Sequence, residues 1–529
     1  MLACLVVGFA VLAPETYGDL RPAAFLRIPV EVVVGALLVL LLPKRGRRAT
    51  ATVAGVVLGL VILLKVLSLG FSSVLGRPFD PVLDWSFFGN GFDYLTASAP
   101  EAVGIAVVVG AVLLACAVPL LTVWAARRLS EVVVRHPTTA ARSVAVLGVG
   151  WVVCFLLGVQ VVAGEPVAAS TTVHALHDAE SRARSSLNDR EVFRKEEAVD
   201  RARRPAPGQQ VLAGLKGKDV ILAFVESYGR SAVEDPRIAP GVDAVLNAGN
   251  ARLAAAGFGA ASGWLNSPTV GGGSWLAHST LLSGVRITNQ ERYTTLLKSN
   301  RMTLSSAFRK AGWRTVALMP ATHGGWPEGS FYRYQKVYQR PDLGYEGPKF
   351  GWSPMPDQFA LAALQSRQLG VPGHTPVMVE AELTSSHTPW APLPTMVSWD
   401  ALGDGSLFGA IADAGKKRNE VWPNPSRVRT EYGRSIQYSL TALFSYLERY
   451  GTKNTVLVFL GDHQPAPIVT GGNASRDVPI TIVAKDPAVL SQISTWGWQQ
   501  GLKPGPDAPV WPMEAFRDQF LSAFTPGSR

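Results

Sequence analysis

The stretch Asp219–Glu226 reads DVILAFVE, a short and nearly continuous apolar run that ends in polar residues. Such runs are typical of strands that are buried on both faces of a mainly parallel sheet. Four later runs share this character: Arg314–Met319, Pro376–Glu382, Thr455–Leu460 and Val478–Ala484. Helical patterns lie between these runs: Val242–Ala256, Leu304–Ala311, Asp357–Gln368 and Arg427–Tyr450. This alternation predicts an α/β domain in which helices sandwich a mainly parallel sheet.

Polar side chains follow the predicted strands, where ligands gather in sheets of this kind. They comprise two carboxylates and three imidazoles: Glu226, His323, His387, Asp462 and His463. Carboxylate oxygens and imidazole nitrogens together suit Zn²⁺, Mn²⁺ or Mg²⁺. The sequence therefore predicts a metal site at the carboxyl edge of the sheet.

A candidate nucleophile lies in Asn266–Gly284, NSPTVGGGSWLAHSTLLSG. Three glycines precede Ser274, and Trp275–Leu282 has a helical pattern. A glycine-rich turn into a helix N-terminus favours a bound anion and lowers the cost of forming a serine alkoxide. Ser274 could also be an ordinary N-cap. His278, one helical turn further on, is either a second contact or, as we favour, a packed helix residue.

The N-terminal third is a predicted membrane region. The 529-residue chain is 47% hydrophobic with a mean hydropathy of +0.17, and its long uncharged runs concentrate before residue 166. Five apolar segments stand out: Leu2–Tyr17, Phe25–Leu42, Ala49–Phe71, Ala102–Ala126 and Ser143–Ala163. Most are close to the roughly 20 residues that cross a bilayer, although the first is short. Residues 1–165 are therefore predicted to form a five-helix transmembrane anchor.

The basic residues predict the orientation. The clusters Lys44–Arg48 and Arg127–Arg142 flank predicted spans, and positive loops face the cytoplasm. Five spans then place the chain after Gly164 outside, with a juxtamembrane helical linker over 166–210 and an extracytoplasmic domain over 211–529. These clusters also explain much of the net charge of +10, which argues against nucleic-acid binding. Lys65 is predicted to snorkel or to contact an outer-leaflet phosphate.

The three cysteines, Cys4, Cys116 and Cys154, all lie in apolar runs. A thiolate metal site in the C-terminal domain is therefore excluded. The absence of thiols from that domain also suits an oxidising compartment.

Four motifs together resemble one known family: VESYGR at Val225–Arg230, the glycine-rich turn into Ser274, SSHTPW at Ser385–Trp390 and FLGDHQP at Phe459–Pro465. They resemble the sulfatase-like branch of the alkaline phosphatase superfamily. Within it, the chain looks most similar to lipoteichoic acid synthases and lipid A phosphoethanolamine transferases, which also join five membrane spans to an extracytoplasmic catalytic domain.

The resemblance implies a role for each matching residue. One divalent metal, Mn or Zn rather than Mg, would be bound by a set of four: Glu226, Ser274, Asp462 and His463. Ser274 would also be the nucleophile, and His387 would contact the phosphoryl group or the leaving oxygen. The substrate-binding stretch would contain His323, Phe331, Tyr332 and Arg333. The two families named use threonine as the nucleophile, whereas this chain has Ser274. Thr269 is the alternative nucleophile if the match shifts across the glycines.

The resemblance also implies the activity. The chain would be a multi-pass enzyme of the cell membrane that moves a phospholipid headgroup phosphoester, such as phosphoglycerol or phosphoethanolamine, through a phosphoseryl intermediate. The acceptor would be an envelope glycan, lipid or polymer. Ser274 is not followed by the residue pattern that sulfatases need for converting the nucleophile to formylglycine. This difference disfavours sulfate-ester hydrolysis. A metal-dependent hydrolase and a catalytically inactive structural or regulatory protein remain as alternatives.

Overall fold

The computed structural model describes residues 1–14, 21–89, 91–92, 101–200, 210–322, 326–472 and 474–526. The chain divides into two compact units, Met1–Asp189 and Arg190–Arg529. The boundary falls within the helix Thr171–Ala198, in the segment where the sequence predicts a helical linker.

The N-terminal unit is helical. In the described part of the chain, three helices are long and apolar enough to cross a membrane: Lys44–Leu75, Ala102–Arg135 and Pro137–Leu157. Two apolar helices are shorter, Leu2–Leu12 and Val30–Leu41, with 11 and 12 residues. The second begins after Pro29 and ends just before Pro43, because proline interrupts helical hydrogen bonding. The prediction of a five-helix anchor is therefore not confirmed, whereas three apolar helices of spanning length are present.

Small elements complete this unit. A 3-10 turn covers Pro22–Phe25, and two short strand pairs join Ile28–Pro29 to Ala168–Ala169 and Gln160–Val162 to Glu165–Pro166.

Two glycines bring the long helices together. A Cβ atom at Gly55 would lie 2.5 Å from Val123 Cα, and one at Gly59 would lie 2.7 Å from Pro119 Cα. The hydroxyl of Thr122 donates to the carbonyl of Gly55 at 2.7 Å. Small residues four apart allow close backbone approach, which favours association of membrane helices.

Lys65 takes neither of the predicted positions. Its side chain is buried, and Nζ donates to the carbonyls of Val11 at 3.0 Å and Ala10 at 3.4 Å. These carbonyls lie in the last turn of Leu2–Leu12, where the helix dipole favours a cation. Lys65 therefore caps a neighbouring helix.

The C-terminal unit contains a nine-stranded mixed sheet. The strands lie side by side in this order: Gln499–Gln500, Gly259–Asn266, Asp477–Ala484, Thr455–Gly461, Asp219–Val225, Val377–Leu383, Arg314–Leu318 and Lys336–Tyr338, with Val510–Pro512 also paired to Gly259–Asn266. The five strands from Thr455–Gly461 to Lys336–Tyr338 are parallel, as predicted. Asp477–Ala484 is antiparallel to both neighbours, so the predicted mainly parallel sheet is in fact mixed. Burial on both faces explains an apolar run but does not fix strand direction.

Helices cover both faces of the sheet. They are Arg230–Glu234, Ala239–Ala255, Ser274–Ser283, Gln290–Leu297, Leu304–Lys310, Gly329–Tyr332, Arg340–Leu343, Asp357–Leu364, Phe408–Ala414, Arg418–Val421, Pro425–Tyr450, Pro467–Thr470, Pro487–Ser491 and Ala515–Phe524, with a π-helical turn at Gln365–Leu369. Along the central strand, Ile221, Ala223 and Val225 belong to one buried cluster, and Val220, Leu222 and Phe224 belong to another. Alternation across the strand thus gives two cores, one on each face.

The strand register positions the candidate site. Val225 pairs with Gly461 on one side and with Leu383 on the other. The residues that follow these three positions therefore emerge together at the carboxyl edge of the sheet.

Candidate active site

Three ligand-forming side chains meet at this edge. Glu226, Asp462 and His463 each offer an oxygen or nitrogen, and these atoms all lie within 4.8 Å of one another. All three residues are buried. Carboxylates and imidazole brought this close inside a protein are a donor set that a divalent cation can bind.

The carboxylate of Asp462 is fixed by hydrogen bonds at one oxygen but not at the other. Its Oδ1 accepts the backbone N–H groups of Ser227 and His463, each at 2.7 Å. Its Oδ2 is buried and has no hydrogen-bond partner in the described structure. A buried carboxylate oxygen is costly unless it is paired or binds a metal. The residues present therefore fit a divalent cation.

The imidazole of His463 is also oriented by a hydrogen bond, so that one ring nitrogen faces the cluster. Nδ1 lies 2.8 Å from the carbonyl of Gln464, which assigns the proton to Nδ1 and leaves Nε2 as the ligand atom. Nε2 lies 3.4 Å from Glu226 Oε1 and 3.6 Å from Asp462 Oδ2.

The hydroxyl of Ser274 reaches this cluster. Ser274 Oγ donates to Glu226 Oε2 at 2.9 Å and lies 3.2 Å from His463 Nε2. Ser274 is the first residue of the helix Ser274–Ser283, and Gly273 before it adopts a φ of 80° that glycine favours. The N-terminal end of the helix therefore lies where an anion attached to Ser274 would be stabilised.

The alternative nucleophile has another role. The Thr269 hydroxyl donates to the carbonyl of Gly272 and closes the glycine-rich turn. Of the two candidate nucleophiles, Ser274 is therefore the one whose hydroxyl lies at the ligand cluster.

The pKa shifts follow from burial and charge. Burial opposes ionisation of Glu226, but the charges of His463 and His387 outweigh it and lower its pKa. Burial and the neighbouring charge of Glu226 raise the pKa of Asp462. The two carboxylates thus compete for the same compensating charge, which a cation would supply to both.

His387 lines the same cavity as Ser274. Its ring stacks on Trp352 with a centroid distance of 3.9 Å, and Nδ1 donates to the carbonyl of Thr388 at 2.6 Å. Burial lowers the pKa of this imidazole. The cavity has a volume of about 300 Å³, and its lining includes Glu226, Ser274 and His387.

The predicted substrate-binding stretch is divided in the structure. Tyr332 lines the Ser274 cavity, and its hydroxyl lies 2.7 Å from Ser279 Oγ. Phe331 and Arg333 line a different cavity with Arg301 and Lys310. The prediction places all three side chains at one subsite, whereas the structure groups only Tyr332 with Ser274. His323 lies outside the described residues.

His278 combines the two predicted alternatives. Its ring stacks on Phe224 at 3.7 Å, and Nδ1 lies 3.0 Å from Glu380 Oε1. It also lines the Ser274 cavity. Burial works against protonation, but the bond to Glu380 raises the pKa of His278.

Sequence reasoning missed two acidic residues of the cavity. Glu380 and Glu382 both line it, and both belong to the strand Val377–Leu383. Two charged residues at alternate positions of a buried strand point to the same face, which is a signal that the sequence contained.

No protein-family model and no curated protein matches this sequence. Several solved structures do. The lipoteichoic acid synthase LtaP from Listeria monocytogenes is 14% identical, over 59% of this chain and 74% of that chain, with a TM-score of 0.36. The C-terminal periplasmic domain of EptC from Escherichia coli is 14% identical, over 61% and 86%, with a TM-score of 0.38. The phosphoglycerol transferase GacH from Streptococcus pyogenes is 15% identical, over 63% and 90%, with a TM-score of 0.35.

These three TM-scores all lie below 0.5, so a function can be proposed only from the geometry of the site.

Proposed function

We propose that the chain is a membrane-bound, metal-dependent phosphoryl transferase that moves a phospholipid headgroup phosphoester onto an envelope glycan, lipid or polymer. One observation carries this proposal: the Ser274 hydroxyl lies within hydrogen-bond distance of both Glu226 and His463, in a cluster where Asp462 Oδ2 accepts no hydrogen bond from the described residues. A hydroxyl at a helix N-terminus beside a cation site is an arrangement that activates a nucleophile.

Glu226, Asp462, His463 and Ser274 would hold one divalent metal, Mn or Zn rather than Mg. When bound, the metal would lower the pKa of the Ser274 hydroxyl and offset negative charge on a phosphoryl group. Glu226 Oε2 accepts the hydrogen bond of the Ser274 hydroxyl and is placed to receive its proton. The N-terminus of Ser274–Ser283 would stabilise the phosphoryl oxygens.

Two successive displacements describe the reaction. Ser274 Oγ attacks the phosphorus of the lipid headgroup, the bond to the lipid alcohol breaks, and a phosphoseryl group retains the headgroup. An acceptor hydroxyl then attacks the same phosphorus and releases Ser274. His387, which lines the same cavity, would contact the phosphoryl group or protonate the leaving oxygen. His323 is proposed for the same task on the resemblance alone.

The membrane region would keep the site near its phospholipid donor. Three described helices are long and apolar enough to cross a membrane. We extend the proposal to a multi-pass anchor in the cell membrane that keeps an extracytoplasmic catalytic domain near a phospholipid. The dense runs of uncharged residues before residue 166 support an anchor.

The test uses the full chain in liposomes with Mn²⁺, phospholipids labelled in the headgroup, and a candidate acceptor. Wild-type protein should release diacylglycerol and transfer the label, and Ser274→Ala should abolish both. Ser491→Ala, a change at an exposed serine, serves as the matched control. Undiminished transfer by Ser274→Ala would refute the nucleophile assignment.

The same products separate the other two functions. Free headgroup phosphate in place of a labelled acceptor would identify a hydrolase. Absence of any product, together with no effect of Mn²⁺ on thermal stability, would identify a catalytically inactive protein.

A further inference from the structure

The Ser274 cavity contains an acidic wall that the proposed reaction does not use. Glu380 and Glu382 extend from the same face of the strand Val377–Leu383. Glu380 is fully paired, because His278 Nδ1 lies 3.0 Å from its Oε1 and the Tyr334 hydroxyl donates to its Oε2. Glu382 differs: its Oε2 is buried without a hydrogen-bond partner among the described residues. An unpaired buried carboxylate oxygen needs a partner, and a ligand in the cavity can supply one.

The rest of this cavity is aromatic. Its lining includes Trp275, Tyr293, Trp326, Tyr332 and Trp352. Trp326 stacks on Tyr332 with a centroid distance of 5.5 Å, which fixes both rings in the wall. Aromatic faces combined with carboxylates are the surroundings that bind an organic cation.

The charge of the residues that line the cavity restricts the class of ligand further. Among the described lining residues there is no lysine or arginine. The phosphoryl group would be held at the Ser274 end, by the helix N-terminus and the cation site. Any group beyond the phosphorus would then face carboxylates and aromatic rings, which repel an anion and attract a cation.

We propose that the Glu382 carboxylate and the aromatic walls form a subsite for an alkylammonium group, so that the transferred headgroup is an amino alcohol phosphate and not a phosphorylated polyol. The proposal rests on the proposed function, because the subsite is defined relative to a phosphoryl group at Ser274. Glu382 provides the charge partner, and the rings provide cation–π contacts.

Binding can be measured without turnover. The full-length Ser274→Ala protein, saturated with Mn²⁺, is titrated calorimetrically with phosphoethanolamine and, separately, with sn-glycerol 3-phosphate. The two probes share a phosphate monoester and differ in the ammonium group. We expect phosphoethanolamine to bind at least about tenfold more tightly, as a charge-assisted hydrogen bond and cation–π contacts provide. Adding Glu382→Gln should remove that preference.

Two further variants make the test specific. Glu382→Asp keeps the charge and should restore part of the preference. Glu346→Gln removes an exposed carboxylate of the same domain and should leave both affinities unchanged. A melting temperature for each variant verifies that it is folded.

Equal affinities for the two probes, or a preference that persists in Glu382→Gln, would overturn the subsite. Failure of the proposed function looks different. In that case the wild-type protein would transfer no labelled headgroup, even though the Glu382-dependent preference for phosphoethanolamine is measured.

Discussion

The backbone N–H of Ser227 donates to Asp462 Oδ1 at 2.7 Å and joins the ends of two neighbouring parallel strands. Ser227 has a φ of 58°, an uncommon conformation for a residue with a side chain. The Tyr432 hydroxyl donates to the Ser227 carbonyl at 2.8 Å and supports that conformation. One oxygen of Asp462 is thus held by the backbone, which leaves the other to face Glu226 and His463.

Asp462→Asn should separate metal binding from folding. The asparagine oxygen can still accept the two backbone N–H groups, but the unpaired anionic oxygen is lost. The increase in melting temperature that Mn²⁺ produces in the wild type should therefore disappear. Because burial raises the pKa of Asp462, the metal-free variant should melt no lower than the metal-free wild type. Differential scanning fluorimetry with and without Mn²⁺ measures both effects.

The exposed Asp507 supplies the matched control. Asp507→Asn should keep the full Mn²⁺ effect. A wild-type response to Mn²⁺ in Asp462→Asn would show that the cation binds elsewhere.

Gly461→Ala should displace the backbone that carries the ligand residue Asp462. A Cβ atom at Gly461 would lie 1.8 Å from the carbonyl oxygen of Tyr228, so the backbone before Asp462 must move. Overpacking against a backbone atom costs on the order of 1–3 kcal/mol or more. We expect a lower midpoint in urea unfolding together with a smaller stabilisation by Mn²⁺.

Gly409→Ala is the comparison for this change, because a Cβ atom at Gly409 in the helix Phe408–Ala414 meets nothing within 4 Å. It should leave the midpoint unchanged or raise it. Equal midpoints for Gly461→Ala and the wild type would contradict the tight approach of Gly461 to Tyr228.

The sequence predicted the centre of the sheet better than its edge. Runs such as DVILAFVE are long, apolar and buried on both sides, so their pattern is plain. The strand Gly259–Asn266 was missed because GAASGWLN begins with small residues. Gly263 in it is needed for packing, since a Cβ atom there would lie 2.7 Å from Trp498 Nε1. Contacts with a tryptophan more than 200 residues away leave no local pattern.

The site divides in the same way. The ligand cluster was predictable because Glu226 and Asp462 each directly follow a recognisable strand. Glu380 and Glu382 were overlooked because they lie inside the apolar run and not after it. Glu382 Oε2 has no hydrogen-bond partner among the described residues, whereas His278 and Tyr334 both bond to Glu380. Only the folded structure determines which of the two carboxylates they contact.

Glu382 should make the stability of the metal-free protein depend on pH. Its pKa is raised from 4.5 to about 7 in the folded state. Folding therefore favours the neutral form of the Glu382 carboxyl. Its contribution to the free energy of unfolding is fully present below the pKa of the unfolded state, 4.5, and is lost as pH rises through about 7. A shift of this size corresponds to roughly 2 kcal/mol after allowing for partial solvent exposure. Urea unfolding at pH 5 and pH 8 after chelation measures it.

Glu382→Gln cannot ionise and should reduce the loss of stability between pH 5 and pH 8. Glu346→Gln, on the surface, should follow the wild type. An identical pH dependence in Glu382→Gln and the wild type would show that the folded protein accommodates the Glu382 charge.

The close helix pair of the N-terminal unit gives a last prediction. A Cβ atom at Gly59 would lie 2.7 Å from Pro119 Cα and 2.8 Å from Thr122 Oγ1, so Gly59→Leu should force Lys44–Leu75 away from the helix that contains them. Gly70→Leu, on the same helix, adds the same apolar group where a Cβ atom meets nothing within 4 Å. Dodecyl sulfate titrations in mixed micelles should show unfolding at a lower detergent fraction for Gly59→Leu, by on the order of 1–3 kcal/mol, and no change for Gly70→Leu. Equal effects of the two leucines would mean that an added side chain destabilises this helix at any position. The close approach at Gly59 would then not be what holds the two helices together.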